Sequence, residues 1–425
     1  MKLNCTTTKT SFSSDHETLN VLLYGRAESE HYASVGAAIL EAVQKQKFSP
    51  SSKAWDLLSI ALSVVCADLA GHRKQSPDGW TREFDVTIAV RDSEFWNENA
   101  GLLESLLAFL TTDIWRLHFV AGGVNPKPSS EIDLPEEDCV ALLSGGLDSL
   151  VGNIDLVNRG LVPFVVTQTV RGDGYKQTTF ADSIGQGLRQ FKVNHNARVP
   201  DPETPSSQRA RSIIFLAYGV LIATSLKKYH AGEEVTLYVC ENGFISINPP
   251  LTQIRLGSLS TRTTHPVVFS IFQNILDASG IRVKIENPYK FKTKGEMLRE
   301  CEDQSKLKQL ASKTTSCGRY LIHGHKHCGR CVPCMVRRAA FLAWGQSDHT
   351  EYKYTNIGLN NEEHSGYDDV RSAFIAIQER REKGTKRWLN SALSSPRVNH
   401  KGDIAHMIER GLEEIEALLN KYGVK

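Results

Sequence analysis

The stretch of sequence that decides the fold is Cys139-Val140-Ala141-Leu142-Leu143, Ser144-Gly145-Gly146-Leu147-Asp148-Ser149, Leu150-Val151-Gly152-Asn153-Ile154-Asp155-Leu156-Val157. The first part is a short apolar run, which is typical of a buried strand, and the last part is typical of a helix. The six residues between them are rich in glycine and hydroxyl groups. The sequence therefore predicts a phosphate cradle between a strand and a helix.

The residue types of this loop suit an anion. Gly145 and Gly146 let the backbone take positive φ and bring its N–H groups close to a ligand, while Ser144 and Ser149 add hydroxyl donors. The next helix presents free N–H groups at the positive end of its dipole. The loop lacks the lysine of G-x-x-x-x-G-K-[ST] and the spacing of G-x-G-x-x-G. Pyrophosphate is therefore the favoured ligand, and a glycine-rich turn without a ligand is the alternative.

A cluster of cysteines near residue 330 predicts a metal site. Four thiolates, three of them on one tight turn, can make a closed tetrahedral site, which Zn²⁺ prefers. Such a site is structural and supplies folding energy. An iron–sulfur cluster, a disulfide pair and free thiols are the alternatives. The four predicted ligands are Cys317, Cys328, Cys331 and Cys334. Three histidines of the same loop could replace one thiolate: His323, His325 and His327.

Two motifs together resemble a known family. S-G-G-x-D-S resembles the PP-loop signature of the N-type ATP pyrophosphatases, which adenylate an oxygen of their substrate and release pyrophosphate. The loop, the pattern C-x(n)-C-G-x-C-x-x-C and the basic pair Arg337-Arg338 together resemble the 7-cyano-7-deazaguanine synthases, the QueC family, over about residues 138–345. Residues 211–216 are similar to the family's R-N-x-x-F-L helix start, and residues 293–296 are similar to its T-K-x-E segment.

The resemblance implies an α/β fold, with an adenine-nucleotide alpha-hydrolase-like parallel sheet and helices on both faces. It implies ATP, Mg²⁺ and Zn²⁺ as cofactors, and a deazaguanine-type carboxylate as the substrate. The carboxylate would be adenylated, and the acyl group would pass to a nitrogen nucleophile. The residues expected to bind ATP are Ser144, Gly145, Gly146, Leu147, Asp148 and Ser149.

Three residues are expected to act in catalysis. Asp148 would hold Mg²⁺ or fix the loop by accepting its N–H bonds. Arg211, at a predicted helix start, and Lys294 would clamp phosphate or carboxylate. For both cations, an ordinary place on the surface is the alternative.

The chain departs from the family where the family binds its acceptor. Residues 168–177 and 241–250 differ from the family's Y-G-Q-R-H-type stretch and from its D-C-R-containing loop. The second run continues into residues 257–266, where Arg262 and His265 would contact the acceptor or the carboxylate, or would hold the loop together. The sequence therefore predicts a retained nucleotide half and a rebuilt acceptor half.

The length of 425 residues allows more than one core. We expect an N-terminal α+β accessory domain over residues 1–120, in which apolar residues alternate over 84–90 as in a strand. A linker rich in Gly, Pro and Ser follows over 121–137. The PP-loop domain with its zinc site would cover 138–345, and a helical extension would cover 346–425.

The predicted final helix has one apolar face. Ile404, Ile408, Ile415 and Leu419 lie on that face, which favours packing on a core. Binding of a partner protein is the alternative.

The charge balance of 50 basic and 48 acidic residues gives no strong attraction for nucleic acid, so direct nucleic-acid binding is not expected. No run approaches about 18 apolar residues, and the first residues do not form a signal peptide. A cytoplasmic protein without a membrane segment is predicted. The reducing cytosol would also keep the thiolate cluster available.

The enlarged arrangement resembles the QueC-like proteins of bacterial anti-phage islands such as the Qat system. This resemblance implies a role in antiviral defence beside a partner protein from the same operon. Three alternatives stay open: an ordinary 7-cyano-7-deazaguanine synthase, a tRNA-modifying PP-loop enzyme, and an inactive nucleotide-binding scaffold.

Overall fold

The computed structural model describes residues 1–126, 131–169, 174–204, 209–252, 262–359 and 368–424. The side chains of Arg211 and Ser391 are outside this description. Parts of the predicted linker and of the runs 168–177 and 257–266 also lie outside the described residues.

The N-terminal region contains a five-stranded sheet in which every described pair of neighbouring strands is parallel. Its spatial order is β3-β2-β1-β4-β5. The prediction of an α+β domain was therefore wrong, because the helical stretches cross over between parallel strands and make this region α/β. The strands are β1 (Lys2–Thr6), β2 (Thr18–Gly25), β3 (Ala33–Gly36), β4 (Glu83–Val90) and β5 (Ile114–Ala121). The strand predicted at 84–90 is confirmed as β4.

A second parallel sheet of five strands follows, in the order β10-β9-β6-β7-β8. Its first strand in sequence is β6, which lies between β7 and β9. The chain adds β7 and β8 on one side of β6 and then β9 and β10 on the other side, so the direction in which strands are added reverses between β6 and β9. Ligands of open α/β sheets bind at the carboxyl ends of the strands at such a reversal. The strands are β6 (Cys139–Leu142), β7 (Pro163–Gln168), β8 (Gln190–Val193), β9 (Val235–Tyr238) and β10 (Val283–Glu286).

Helices connect and cover both sheets. Those of the first half are α1 (Ile39–Lys45), α2 (Ser52–Ala70), α3 (Ser93–Glu98), α4 (Ala100–Thr111), α5 (Leu147–Asn158), α6 (Gly174–Ser183), α7 (Arg211–Ala223) and α8 (Lys227–His230). The others are α9 (Gly243–Ile247), α10 (Pro266–Ala278), α11 (Lys294–Arg299), α12 (Gln304–Leu310), α13 (Val332–Trp344), α14 (Asp369–Lys383), α15 (Thr385–Trp388), α16 (Asn390–Leu393) and α17 (Lys401–Lys421).

The two sheets share one hydrophobic core. Helix α2 packs on the first sheet and α7 on the second, and the two helices pack against each other. Buried residues of both sheets, such as Val86 and Leu237, belong to one continuous cluster. A second cluster, with Ile154 and Phe341, covers the other face of the second sheet. The second sheet therefore has helices on both faces, as predicted for the α/β class.

The C-terminal extension packs on the same body. Helix α17 contacts α9, α11, α13 and α14. Its predicted inner residues are confirmed as buried: Ile404, Ile408, Ile415 and Leu419. Core packing of this helix is therefore observed. The three boundaries between the four predicted segments stay predictions.

In the described part of the chain, no helix combines the length and the apolar character that a membrane crossing requires.

Candidate active site

The predicted phosphate loop lies between the end of β6 and the start of α5. Gly145 has a φ of +83°, in the left-handed region that favours glycine. Ser149 Oγ donates to Gly146 O at 3.1 Å and accepts from Ser144 N at 3.2 Å. Helix α5 begins at Leu147, so the positive end of its dipole lies at the loop. This is the local geometry of an anion cradle, and nucleotide binding by it stays a prediction.

Asp148 ties the phosphate loop to two distant segments. Lys294 Nζ lies 2.9 Å from Asp148 Oδ1. Asn242 Nδ2 donates to Asp148 Oδ2 at 2.8 Å and to Glu241 Oε1 at 3.3 Å. Asp148 and Lys294 are 5% and 6% exposed, so their ion pair is shielded from water. We call Asp148, Glu241, Asn242 and Lys294 the polar quartet.

Local sequence explains how the quartet is held. Asn242 caps α9, since its Oδ1 accepts a hydrogen bond from Ile245 N at 3.0 Å. Lys294 is the first residue of α11, which begins with a capping box between Thr293 and Glu296. Both helices begin beyond the carboxyl ends of neighbouring strands, β9 and β10. The quartet therefore lies at the edge of the sheet where the strand order reverses.

The two carboxyl groups of the quartet differ in acidity. Burial opposes ionisation of Asp148, but the Lys294 charge and hydrogen bonds from Glu241 and Asn242 hold its pKa below the ordinary value. Burial, followed by the charge of Asp148, raises the pKa of Glu241 well above its ordinary value. Asp148 therefore carries the negative charge that faces Lys294, and Glu241 retains its proton more readily than an ordinary glutamate.

Three other predicted site residues have different surroundings. Arg211 begins α7, but its side chain is outside the described part of the protein. Arg262 Nη1 donates to Phe109 O of α4 at 3.0 Å. His265 caps α10, because its Nδ1 accepts from Val267 N at 3.2 Å. These contacts join Arg262 to α4 and His265 to the start of α10, and contact with a substrate stays a prediction for both.

The four predicted metal ligands lie together. Their sulfur atoms are all within 4.8 Å of one another, and all four residues are buried. Two of the sulfur–sulfur distances, Cys317 to Cys331 and Cys328 to Cys334, are 3.9 Å. A tetrahedron with metal–sulfur bonds of about 2.3 Å has edges of about 3.8 Å, so the cysteines fit a zinc ion. None of the nine cysteines, which all lie in the described residues, forms a disulfide bond, so the disulfide alternative is wrong for this structure.

The neighbouring histidines do not join this cluster in the described residues. His327 Nε2 instead accepts a hydrogen bond from Ser316 N at 3.1 Å. The segment before Cys317 also reaches the phosphate loop, since Thr315 N donates to Gly145 O at 3.0 Å. The cysteine cluster therefore supports the loop through a segment only two residues away.

Sequence reasoning missed three contributors to the site. Sequence reasoning placed Glu241 and Asn242 only in a rebuilt acceptor loop. Both residues come just after β9, so their position could have indicated that they lie at the carboxyl edge of the sheet. Lys176 was not singled out, and its Nζ donates to Thr315 Oγ1 at 2.7 Å and to Tyr320 OH at 2.8 Å. No sequence signal identified that contact.

Comparison with known families gives a match over part of the chain. Residues 264–345 match the family model described as "Queuosine biosynthesis protein QueC". The match includes Lys294 and the four cysteines and does not include the phosphate loop. It supports a QueC-like family, and it suggests an ATP-dependent enzyme of the synthase kind. No curated protein matches the chain.

Proposed function

We propose that this protein is a QueC-like PP-loop enzyme that uses ATP to adenylate a carboxylate and then transfers the acyl group to a nitrogen nucleophile. One observation carries the proposal. Lys294, inside the segment that matches the QueC family, lies 2.9 Å from Asp148 of the phosphate loop, outside that segment. The contact joins the two motifs into one site.

The first step of the proposed reaction forms an acyl-adenylate. A carboxylate oxygen attacks the α-phosphorus of ATP, and the bond from that phosphorus to the oxygen leading to the β-phosphate breaks. The loop N–H groups and the start of α5 would bind the departing pyrophosphate. Lys294 would stabilise its developing negative charge, with Asp148 orienting the ammonium group. These roles use the charge and position of residues at the carboxyl edge of the sheet.

The second step forms the new bond to nitrogen. The nitrogen nucleophile attacks the acyl carbon, and the bond from this carbon to the AMP oxygen breaks. The nitrogen then loses a proton to solvent. The expected products of ATP are therefore AMP and pyrophosphate, and not ADP.

The residues present fit both expected metals. Carboxylate oxygens suit Mg²⁺, and Asp148, whose lowered pKa keeps it ionised, would supply them beside the loop. Bound Mg²⁺ would offset the charge of the pyrophosphate. The four cysteines would hold Zn²⁺ in a closed site with a structural role.

The substrate and the setting are parts of the same proposal. The QueC resemblance favours 7-carboxy-7-deazaguanine or a related carboxylate. The changed acceptor segment favours an amine on a partner protein from the same operon as the nucleophile. Resemblance to anti-phage proteins favours a cytoplasmic role in bacterial defence.

The test is to incubate the full chain with Mg-ATP and 7-carboxy-7-deazaguanine, with and without ammonium and a co-expressed partner. AMP, pyrophosphate and deazaguanine products are resolved by mass spectrometry. We expect equal amounts of AMP and pyrophosphate that depend on the carboxylate, and a mass increase on the partner.

Two variants make this experiment specific. Asp148→Asn should abolish AMP formation, whereas Lys308→Met, at an exposed position of α12, should leave it unchanged. If the mixture yields AMP and a nitrile product while the partner stays unmodified, the activity is that of an ordinary 7-cyano-7-deazaguanine synthase. Absence of AMP in every mixture would contradict the adenylation proposal.

A further inference from the structure

We propose that Glu414, on the C-terminal helix α17, is a positioning residue for Lys294. This inference rests on the proposed function, because it assigns Glu414 to the site that would bind ATP. It gives the extension a role in phosphate binding beyond core packing.

Glu414 holds the residues on both sides of Lys294. Its Oε1 accepts a hydrogen bond from Thr293 Oγ1 at 2.5 Å, and its Oε2 accepts one from Gly295 N at 3.2 Å. Thr293 is completely buried, so this contact is protected from water. The carboxylate therefore fixes the first turn of α11, from which the Lys294 side chain extends to Asp148.

The close approach of the Glu414 carboxylate to α11 depends on glycine. A Cβ atom on Gly295 would lie only 2.3 Å from Glu414 Oε1. Any other residue at this position would separate the carboxylate from the first turn of α11. The contact between Glu414 and the backbone of α11 therefore depends on Gly295.

The same helix also supports the other side of the polar quartet. Gly411 of α17 lies against Phe244 of α9, where a Cβ atom would come within 2.2 Å of the ring. Met407 lies against Gly243, with 2.8 Å between its Cε and a Cβ placed on that glycine. These α9 residues directly follow Asn242. Helix α17 thus contacts both segments that bring partners to Asp148.

The position of Lys294 Nζ depends on this support. Lysine has a long, flexible side chain, so the backbone of α11 must set where its ammonium group can reach. A displacement of about 1 Å at a catalytic group can cost about 100-fold in rate. We expect Glu414→Ala to weaken Mg-ATP binding by about 10-fold and to slow adenylation by about 10- to 100-fold.

A double-mutant cycle tests whether Glu414 acts through Lys294. The four proteins are the wild type, Glu414→Ala, Lys294→Met and the double variant, each measured for Mg-ATP affinity by calorimetry and for carboxylate-dependent ATP–pyrophosphate exchange. If Glu414 positions Lys294, Glu414→Ala has little further effect once Lys294 is Met. Independent effects that add in the double variant would overturn the proposal.

Conservative variants separate positioning from folding. Glu414→Gln keeps an acceptor oxygen for Thr293 and should retain most of the affinity, whereas the shorter Glu414→Asp should behave like Glu414→Ala. The matched control Glu413→Ala changes an exposed neighbour and should have no effect. If Glu414→Ala does not fold, the Gln and Asp variants decide the question, and equal affinities for both would contradict positioning.

The inference and the proposed function can fail separately. If the wild type binds Mg-ATP but shows no ATP–pyrophosphate exchange, the adenylation proposal is contradicted. The double-mutant cycle, measured by Mg-ATP affinity, then still tests whether Glu414 positions Lys294. A wild-type protein with exchange and an unaffected Glu414→Ala variant contradicts the inference alone.

Discussion

Lys294 Nζ and Asp148 Oδ1 lie 2.9 Å apart although 146 positions of sequence separate the two residues. Both side chains are buried. Asp148 belongs to the phosphate loop and Lys294 to the first turn of α11, so this ion pair connects the loop to the region that matches the QueC family.

Removing the cation from this pair should leave Asp148 buried without its countercharge. We expect Lys294→Met to lower the free energy of unfolding by about 3–5 kcal/mol and to weaken Mg-ATP binding. Denaturant unfolding and calorimetry measure the two effects. In a Lys294→Met, Asp148→Asn double variant, stability should partly recover while ATP affinity stays low. Recovery of ATP affinity in the double variant would mean that neither residue contacts the nucleotide.

Gly145 should be needed for the shape of the phosphate loop. Gly145→Ala places a Cβ in the left-handed region and should cost about 1–2 kcal/mol of unfolding free energy. Gly160→Ala is the matched control, since Gly160 has a φ of +84° and open space around its Cβ position. Both variants should lose similar stability in denaturant titrations, but only Gly145→Ala should lose Mg-ATP affinity. Equal ATP affinity in the two variants would show that the loop does not bind phosphate.

Removal of metal should affect the phosphate loop as well as the cysteine cluster. We expect one zinc ion per chain by metal analysis, and a lower melting temperature after chelation. Mg-ATP affinity should also fall, because Thr315, two residues before Cys317, donates its N–H to Gly145 O. Cys331→Ser should reproduce both effects, and Cys301→Ser, at a buried cysteine outside the cluster, should lack the metal loss. Unchanged ATP affinity in the metal-free protein would show that the phosphate loop does not depend on the metal site.

His265 should make the protein sensitive to mild acid. Burial, followed by the nearby Arg262 charge, lowers the pKa of His265 to about 4. An unfolded histidine has a pKa of about 6.5, so the unfolded state binds the proton first as the pH falls. The free energy of unfolding should therefore decrease between about pH 6.5 and 4, by up to about 1.4 kcal/mol per pH unit.

The variant His265→Asn isolates this effect. Asparagine keeps an oxygen that can cap α10 at Val267 N but cannot take a charge. Urea unfolding at several pH values should show a smaller acid-induced loss in His265→Asn than in the wild type. His16→Asn, at an exposed position, is the control and should keep the wild-type slope. An identical slope in His265→Asn would show that His265 is not the group that titrates.

Local patterns in the sequence predicted the features that depend on nearby residues. The alternation at 84–90 gave the strand β4, the apolar face of the final helix gave its buried side, and the cysteine spacing gave the cluster. The N-terminal region was misjudged because the direction of strand pairing depends on connections, not on the alternation within one strand. The contacts of Glu241 and Lys176 were not predicted, since neither residue belongs to a recognisable motif.

The sequence by itself predicted the glycine-rich loop between a strand and a helix and the cluster of four cysteines, because spacing along the chain encodes both, and the resemblance to the QueC family implied the α/β class. Only the tertiary structure decided that Asp148 faces Lys294, that Asn242 and Glu241 complete the quartet, and that Glu414 supports the first turn of α11. These contacts join residues far apart in the chain. They form only when the sheet, α9, α11 and α17 pack together, and no local pattern records that packing.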